Sequence, residues 1–209
     1  KIAKNKNVLR KVKIDPSDLP NWFQENTTFL SNYEKKKFIN SFYKEPDIHI
    51  VFKNEDGLNK FEDSLIKTSN ISGFLLEKKD IQAKKSFARG DWWVQDFSSF
   101  LPLHSFEEKN VNKKFLDTCA APGGKSFQIL SKKLNIILND KSLARIKTLK
   151  LNLNRLNLKA KILNEDFTKF NNTEKYDVII IDAPCSAIGT IRKNPEIFFK
   201  NRSPNFTKL

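Results

Sequence analysis

The chain has 209 residues, with 38 Lys plus Arg against 24 Asp plus Glu and a formal net charge of +14. Its 39% hydrophobic and 11% aromatic content, including 18 Phe, supplies apolar material for a core and excludes a disordered polybasic tail. Two cysteines exclude a disulfide framework, and His49 and His104 lie too far apart for zinc-ligand spacing, so no metal is expected.

No basic-then-apolar start resembles a signal peptide, and no apolar run approaches the ~20 residues of a membrane span. A soluble, cytoplasmic protein with no membrane partner is expected. The sequence opens at Lys1 and contains no Met, which reads as a chain lacking its true N-terminus. The positive charge attracts polyanions, nucleic acid foremost. However, 32 of the basic residues are Lys, in short runs at 35–37, 78–79 and 84–85 that solvated faces explain equally well.

Residues 1–45 mix charged and apolar positions with helical spacing. Asp15-Pro16-Ser17 and Leu19-Pro20-Asn21 are helix-start signals beside Trp22 and Phe23, and two helices are expected. Ile48-His49-Ile50-Val51-Phe52 is a strand pattern and 54–57 a turn. Leu58, Phe61 and Leu65 have the spacing of a helix over 58–67, and Gly73-Phe74-Leu75-Leu76 is again extended. This β-α-β order predicts a small α+β domain over 1–87, with a joint at Ala88-Arg89-Gly90-Asp91 and a second domain over 88–209.

From Val111 the pattern becomes regular. Strands are predicted over 113–119, 135–139, 160–163 and 176–181, and helices over 124–134 and 141–156. Apolar strands alternating with amphipathic helices imply right-handed crossovers and a doubly wound parallel sheet.

Such sheets bind ligands at the carboxyl ends of their strands, and each predicted end here is polar. The first reads Asp117-Thr118-Cys119-Ala120-Ala121-Pro122-Gly123-Gly124-Lys125, the second ends at Asp140, the third is followed by Glu165-Asp166, and the fourth reads Asp182-Ala183-Pro184-Cys185-Ser186. Adjacent glycines let backbone approach a ligand, and the new helix with Lys125 favours an anionic group. Asp140 follows Asp117 at about the spacing at which an acid meets a ribose in nucleoside-binding folds.

Taken singly, each feature is also a turn, a helix cap or a buried thiol. Four in sequence order favour S-adenosyl-L-methionine, with Gly123, Gly124 and Lys125 at its methionine end, Asp140 at the ribose and Asp166 at the adenine amine. A phosphate-loop nucleotidase is the second reading. The segment 119–126 misses that pattern only at its first glycine, but Pro122 removes an amide and Asp140 and Asp166 would have no task.

The block 117–125 and the block Asp182-Ala183-Pro184-Cys185-Ser186-Ala187-Ile188-Gly189-Thr190-Ile191-Arg192-Lys193-Asn194-Pro195 resemble the RNA cytosine-C5 methyltransferases of the Sun family, RsmB branch. Similarity extends to Val94-Gln95-Asp96 and to 152–158. The resemblance implies a Rossmann-like class I methyltransferase sheet, here its first four strands, preceded by a small α+β domain that binds RNA. It implies methylation of cytosine in small-subunit ribosomal RNA, with Cys119, Ala120, Ala121, Pro122, Gly123, Gly124, Lys125, Asp140, Asp166 and Asp182 holding the methyl donor.

In that family a thiolate adds to C6 of the base, and the cysteine matching Cys185 assists release of the product. The attacking cysteine belongs to a later Thr-Cys motif absent from these 209 residues, so a C-terminally truncated, inactive fragment is expected, with its last strand left as an edge. Lys84, Lys85, Arg89, Arg192 and Lys193 are candidate RNA contacts by charge and proximity to the motifs. A non-catalytic RNA-binding ribosome-assembly factor is the alternative from a different functional class.

Overall fold

The computed structural model describes residues 15–42, 44–77, 80–106, 112–169, 174–185, 187–190 and 192–194. Two compact units divide the chain, one from 1–46 with 184–209 and the other from 47–183.

In the first unit a capped turn leads into two helices, as the sequence predicts. The Asp15 carboxylate accepts from the Ser17 amide at 3.1 Å, and Asp18 returns the favour to the Asp15 amide at 2.8 Å. Helix α1 (Asn21–Asn26) starts at Pro20, and α2 (Asn32–Phe42) starts after Ser31, which forms a reciprocal cap with Glu34. Leu19, Trp22, Phe23 and Ile39 form the core, with Phe23 stacked on Phe38 at 5.1 Å. Ile188–Thr190 is a turn of 3-10 helix in the same unit.

The second unit opens with a four-stranded antiparallel sheet. Its strands are β1 (Ile48–Phe52), β2 (Leu65–Ser69), β3 (Ser72–Leu75) and β4 (Trp92–Val94), in the order β2-β3-β1-β4. Two sequence expectations fail here. The turn expected at 54–57 is the start of α3 (Glu55–Asn59), where the Asn54 side chain accepts from the Gly57 amide at 2.8 Å. The helix expected over 58–67 stops at Lys60, and Leu65 begins β2.

The physical reason for the second failure is that Leu58, Phe61 and Leu65 reach the same apolar cluster, around Ile50, Phe52 and Trp92, in either geometry. Pairing of 65–69 with 72–75, helped by β-branched Ile66 and Thr68, decides for the strand.

After α4 (Lys85–Ala88), β4 and α5 (Phe97–His104), the chain alternates strand and helix as predicted. The strands are β5 (Lys114–Asp117), β6 (Asn135–Asn139), β7 (Lys161–Leu163) and β8 (Val178–Ile180), joined in part by α6 (Gly124–Ser131) and α7 (Leu143–Arg155). All pairs are parallel, in the order β7-β6-β5-β8, so the direction of winding reverses at β5. Phe115, Leu138, Phe127, Ile129 and Leu149 are fully buried around the sheet.

Among the described residues β8 is an edge strand, as the sequence predicts, with Ile179 53% exposed and the following Ile181 72%. No helix among the described residues is long and apolar enough to cross a membrane.

The end of α7 meets α4 and the antiparallel sheet through the Arg155 side chain. The Arg155 guanidinium lies 3.8 Å from the Phe87 ring and donates to the carbonyls of Phe87 at 2.7 Å and Trp92 at 3.0 Å. Gly90 has φ +74, and a Cβ there would stand 1.8 Å from the Arg155 carbonyl oxygen. Gly90→Ala therefore combines a left-handed residue with a backbone clash. It is expected to lower unfolding free energy by at least about 2 kcal/mol in urea denaturation, and an unchanged midpoint would contradict this contact.

Candidate functional site

Strand β5 ends at Asp117, whose side chain is buried between the Ser126 hydroxyl, donating at 2.6 Å, and the Cys119 amide, donating at 3.2 Å. Burial pushes its pKa up to about 6, against the lowering effect of these two donors, and the nearby Asp182 pushes the same way as burial.

The following loop carries little polarity of its own and is held by its neighbours. The Ala120 amide donates to the Asn139 carbonyl at 2.7 Å and the Ala121 amide to the Asp140 carboxylate at 3.2 Å. Arg145 donates to the Ala121 carbonyl, and Asn152 to that of Pro122 at 3.0 Å. These bonds turn the amides of 119–121 away from any ligand, so they form no phosphate cradle. The loop ends at Gly123, with φ +121, where a Cβ would fall 1.9 Å from the Phe127 ring.

At the carboxyl ends of β5 and β8 lies a cavity of about 200 Å³. One wall is Asp117, Cys119, Ala120, Ala121, Pro122, Gly124 and Lys125, with Asp182; the other is Val94, Gln95, Asp96 and Ser99. Lys125 Nζ meets the Asp182 carboxylate at 2.7 Å across it. Asp96 caps α5 through the Ser98 amide, and its pKa is lowered, chiefly by the Ser98 hydroxyl.

Gln95 is buried. It accepts from Trp93 Nε1 at 2.9 Å, donates to Gln128 at 2.8 Å, and packs on Gly124, where a Cβ would stand 3.3 Å from its Cδ. A side chain at 124 would thus press on Gln95 and ask it to give by a few tenths of an ångström. The second wall escaped sequence reasoning, although a lone Gln after Trp92-Trp93-Val94 is a visible break in an apolar run.

Asp140, Asp166 and Cys185 are not among the residues that line this cavity. Asp140 lies directly beneath Ala121, accepting also from the Ser142 amide at 2.9 Å, with Arg145 Nη1 at 3.4 Å. Asp166 stands one strand further along, paired with Lys141 at 2.7 Å. Lys141 and Thr168 hold its carboxyl well down, at about 2. Cys185 belongs to the other compact unit, where it is exposed with the Ala187 amide 3.4 Å from Sγ. Ser186, Ile191 and Pro195 of that motif lie outside the described residues.

Among the candidate RNA contacts, Lys84 and Arg89 pair with Asp63 and Asp91, each at 2.8 Å. Together with Lys85 they line a second hollow of about 790 Å³ in which acidic and basic side chains alternate. Arg192 donates to the backbone carbonyls of Lys44 and Glu45, and Lys193 is exposed.

A parallel sheet wound in this order, with a glycine turn after its first strand and acids at its strand ends, is the core of a Rossmann-like methyltransferase. NSun6 from Pyrococcus horikoshii, in a crystal structure with SFG, shares the fold with a TM-score of 0.67 over 81% of this chain and 71% of its own, at 17% identity. A methyltransferase homologue protein of the same organism does so with a TM-score of 0.63 over 81% and 59%, at 21% identity.

The profile of the family described as 16S rRNA methyltransferase RsmB/F matches residues 105–209, and the chain belongs to that family. It is 36% identical over 160 positions to ribosomal RNA small subunit methyltransferase B of Vibrio vulnificus, covering 69% of this chain and 37% of that relative. The chain thus spans little more than a third of the length of the curated relative it matches.

The burial of Asp117 makes stability depend on pH with a definite sign. Its pKa is raised in the folded chain, so the native state binds the proton more tightly, and the penalty present above about pH 6 is relieved as pH falls towards about 4. Asp117→Asn removes the ionisation. The stability of this variant relative to the parent is expected to be greater at about pH 7 than at about pH 4, by up to about 3 kcal/mol in denaturant titrations. A difference independent of pH would show that the carboxylate is not desolvated.

Proposed function

We propose that the protein takes part in S-adenosyl-L-methionine-dependent methylation of C5 of cytosine in small-subunit ribosomal RNA, in the cytoplasm. The single observation that carries the donor assignment is the cavity at the β5 and β8 ends, where Lys125, Asp182 and the glycine turn converge. Its chemistry fits the ligand: Lys125 for a carboxylate, Asp182 and Asp117 for an ammonium or sulfonium charge, and a Gly124 surface on which any side chain would press Gln95. Asp140 and Asp166 would receive the ribose and the adenine, at the next two strand ends in order. When bound, the donor supplies an electrophilic methyl group.

The chain's own residues bind and orient. Gly123 and Gly124 permit close approach, Gln95 and Phe127 fix the turn, and the Lys125–Asp182 pair opens to charges of matching sign. Cytosine C5 becomes nucleophilic once a thiolate has added to C6, and only after C5 has taken the methyl group, its bond to the donor sulfur breaking, does the C5 proton leave as the thiolate is expelled. We assign Cys185 to that release step rather than to the attack, and leave Cys119 in the loop without a covalent task. Arg192, Lys193, Lys84, Lys85 and Arg89 are assigned to RNA phosphate, with Lys84 and Arg89 obliged to exchange their carboxylate partners first.

The test is calorimetry of the 209-residue chain with S-adenosyl-L-methionine and, separately, ATP with magnesium. Donor binding is expected, weakened about tenfold or more by Lys125→Ala, with no comparable response to ATP. With one of the two cysteines in the loop and the other assigned to release, no methyl transfer to ribosomal RNA is expected from this chain. Absence of donor binding, or equal binding of ATP, would overturn the donor assignment, and robust 5-methylcytosine formation would overturn the role given to Cys185.

A further inference from the structure

Asn139 is a polar residue at the end of an apolar strand, Asn135-Ile136-Ile137-Leu138-Asn139, and it is 1% exposed. A buried amide at this place costs stability unless every donor and acceptor is met. They are met from two different loops. Nδ2 donates to the Thr118 carbonyl at 2.9 Å and to the Glu165 carbonyl at 3.1 Å, and Oδ1 accepts from the Glu165 amide at 2.9 Å. The backbone carbonyl of the same residue takes the Ala120 amide at 2.7 Å.

One side chain therefore ties the loop after β5 to the loop after β7, across the β6 end that lies between them. The first loop leads to the glycine turn and Lys125, and the second leads to Asp166.

We infer that Asn139 is a positioning residue that sets the span between the two ends of the methyl-donor site. It touches neither end of the ligand, and its effect is on their separation. This rests on the donor reading above. A ligand whose amino-acid and nucleoside parts are covalently joined gains from both sites only when the sites are held at the matching distance, whereas each part alone is indifferent to that distance. The role thus has a signature that a purely structural role lacks.

The test compares S-adenosyl-L-methionine, adenosine and L-methionine by calorimetry, on the parent chain, on Asn139→Leu and on Asn139→Ser. All are measured at a temperature where circular dichroism shows each folded. Leu keeps the volume and removes all three side-chain bonds, while Ser leaves room for water and carries the comparison should the Leu variant not fold.

Affinity for the intact donor is expected to fall roughly tenfold to a hundredfold, with adenosine and methionine changing less than about twofold. Equal losses for all three ligands, or a lowered melting temperature with donor affinity retained, would overturn the inference alone. A parent chain that binds no donor would overturn the donor reading and this inference with it.

Discussion

The structure depends on the way a loop nearly devoid of polar side chains is held in place. Between Cys119 and Lys125 the chain offers two alanines, a proline and two glycines, which can neither cap nor brace themselves. Its amides and carbonyls are taken up by Asp117, Asn139, Asp140, Arg145 and Asn152, four of them from the neighbouring strand and helix. A loop satisfied from outside is fixed without filling the space above it, and the cavity is the result. The same bonds explain why Asp140, just past the tip of β6, is buried, with one carboxylate oxygen on the Ala121 amide and the other on the Ser142 amide.

Electrostatics follows the same local logic rather than the net charge. A surplus of 14 positive charges would suggest an electropositive surface throughout, yet the cavity is lined by Asp96, Asp117 and Asp182 against Lys125 alone. The desolvated Asp117 is tolerated because Ser126 and the Cys119 amide donate to it, and the remaining cost is visible in its raised pKa. In the hollow beside α3 and α4 each of Lys84 and Arg89 already faces a carboxylate, so the charge run 84–85 does not translate into a bare basic patch.

Much of this was legible in the sequence for a definite reason. The strands of the parallel sheet are largely apolar runs with polar ends, and β6 was delimited at 135–139 because its burial from Ile136 to Asn139 leaves no alternation. The loop 117–125 and the acids at 140, 166 and 182 could be placed at strand ends from order alone. The antiparallel hairpin was less legible, since Leu58, Phe61 and Leu65 satisfy helical spacing and reach one cluster through a helix and a strand instead. Gln95 stood out only as a break in an apolar run within the resemblance, and Asn139 not at all, because their roles lie in bonds to residues 33, 21 and 26 positions away.

The most direct measurement is amide chemical-shift mapping of the chain on addition of S-adenosyl-L-homocysteine. A site built at the strand ends requires the largest perturbations at Gly123, Gly124 and Lys125, with further ones at Gln95, Asp140, Asp166 and Asp182, and none around Lys53, Lys60 and Arg89. Perturbations centred on the hollow beside α3 and α4, or none anywhere at saturating ligand, would contradict it.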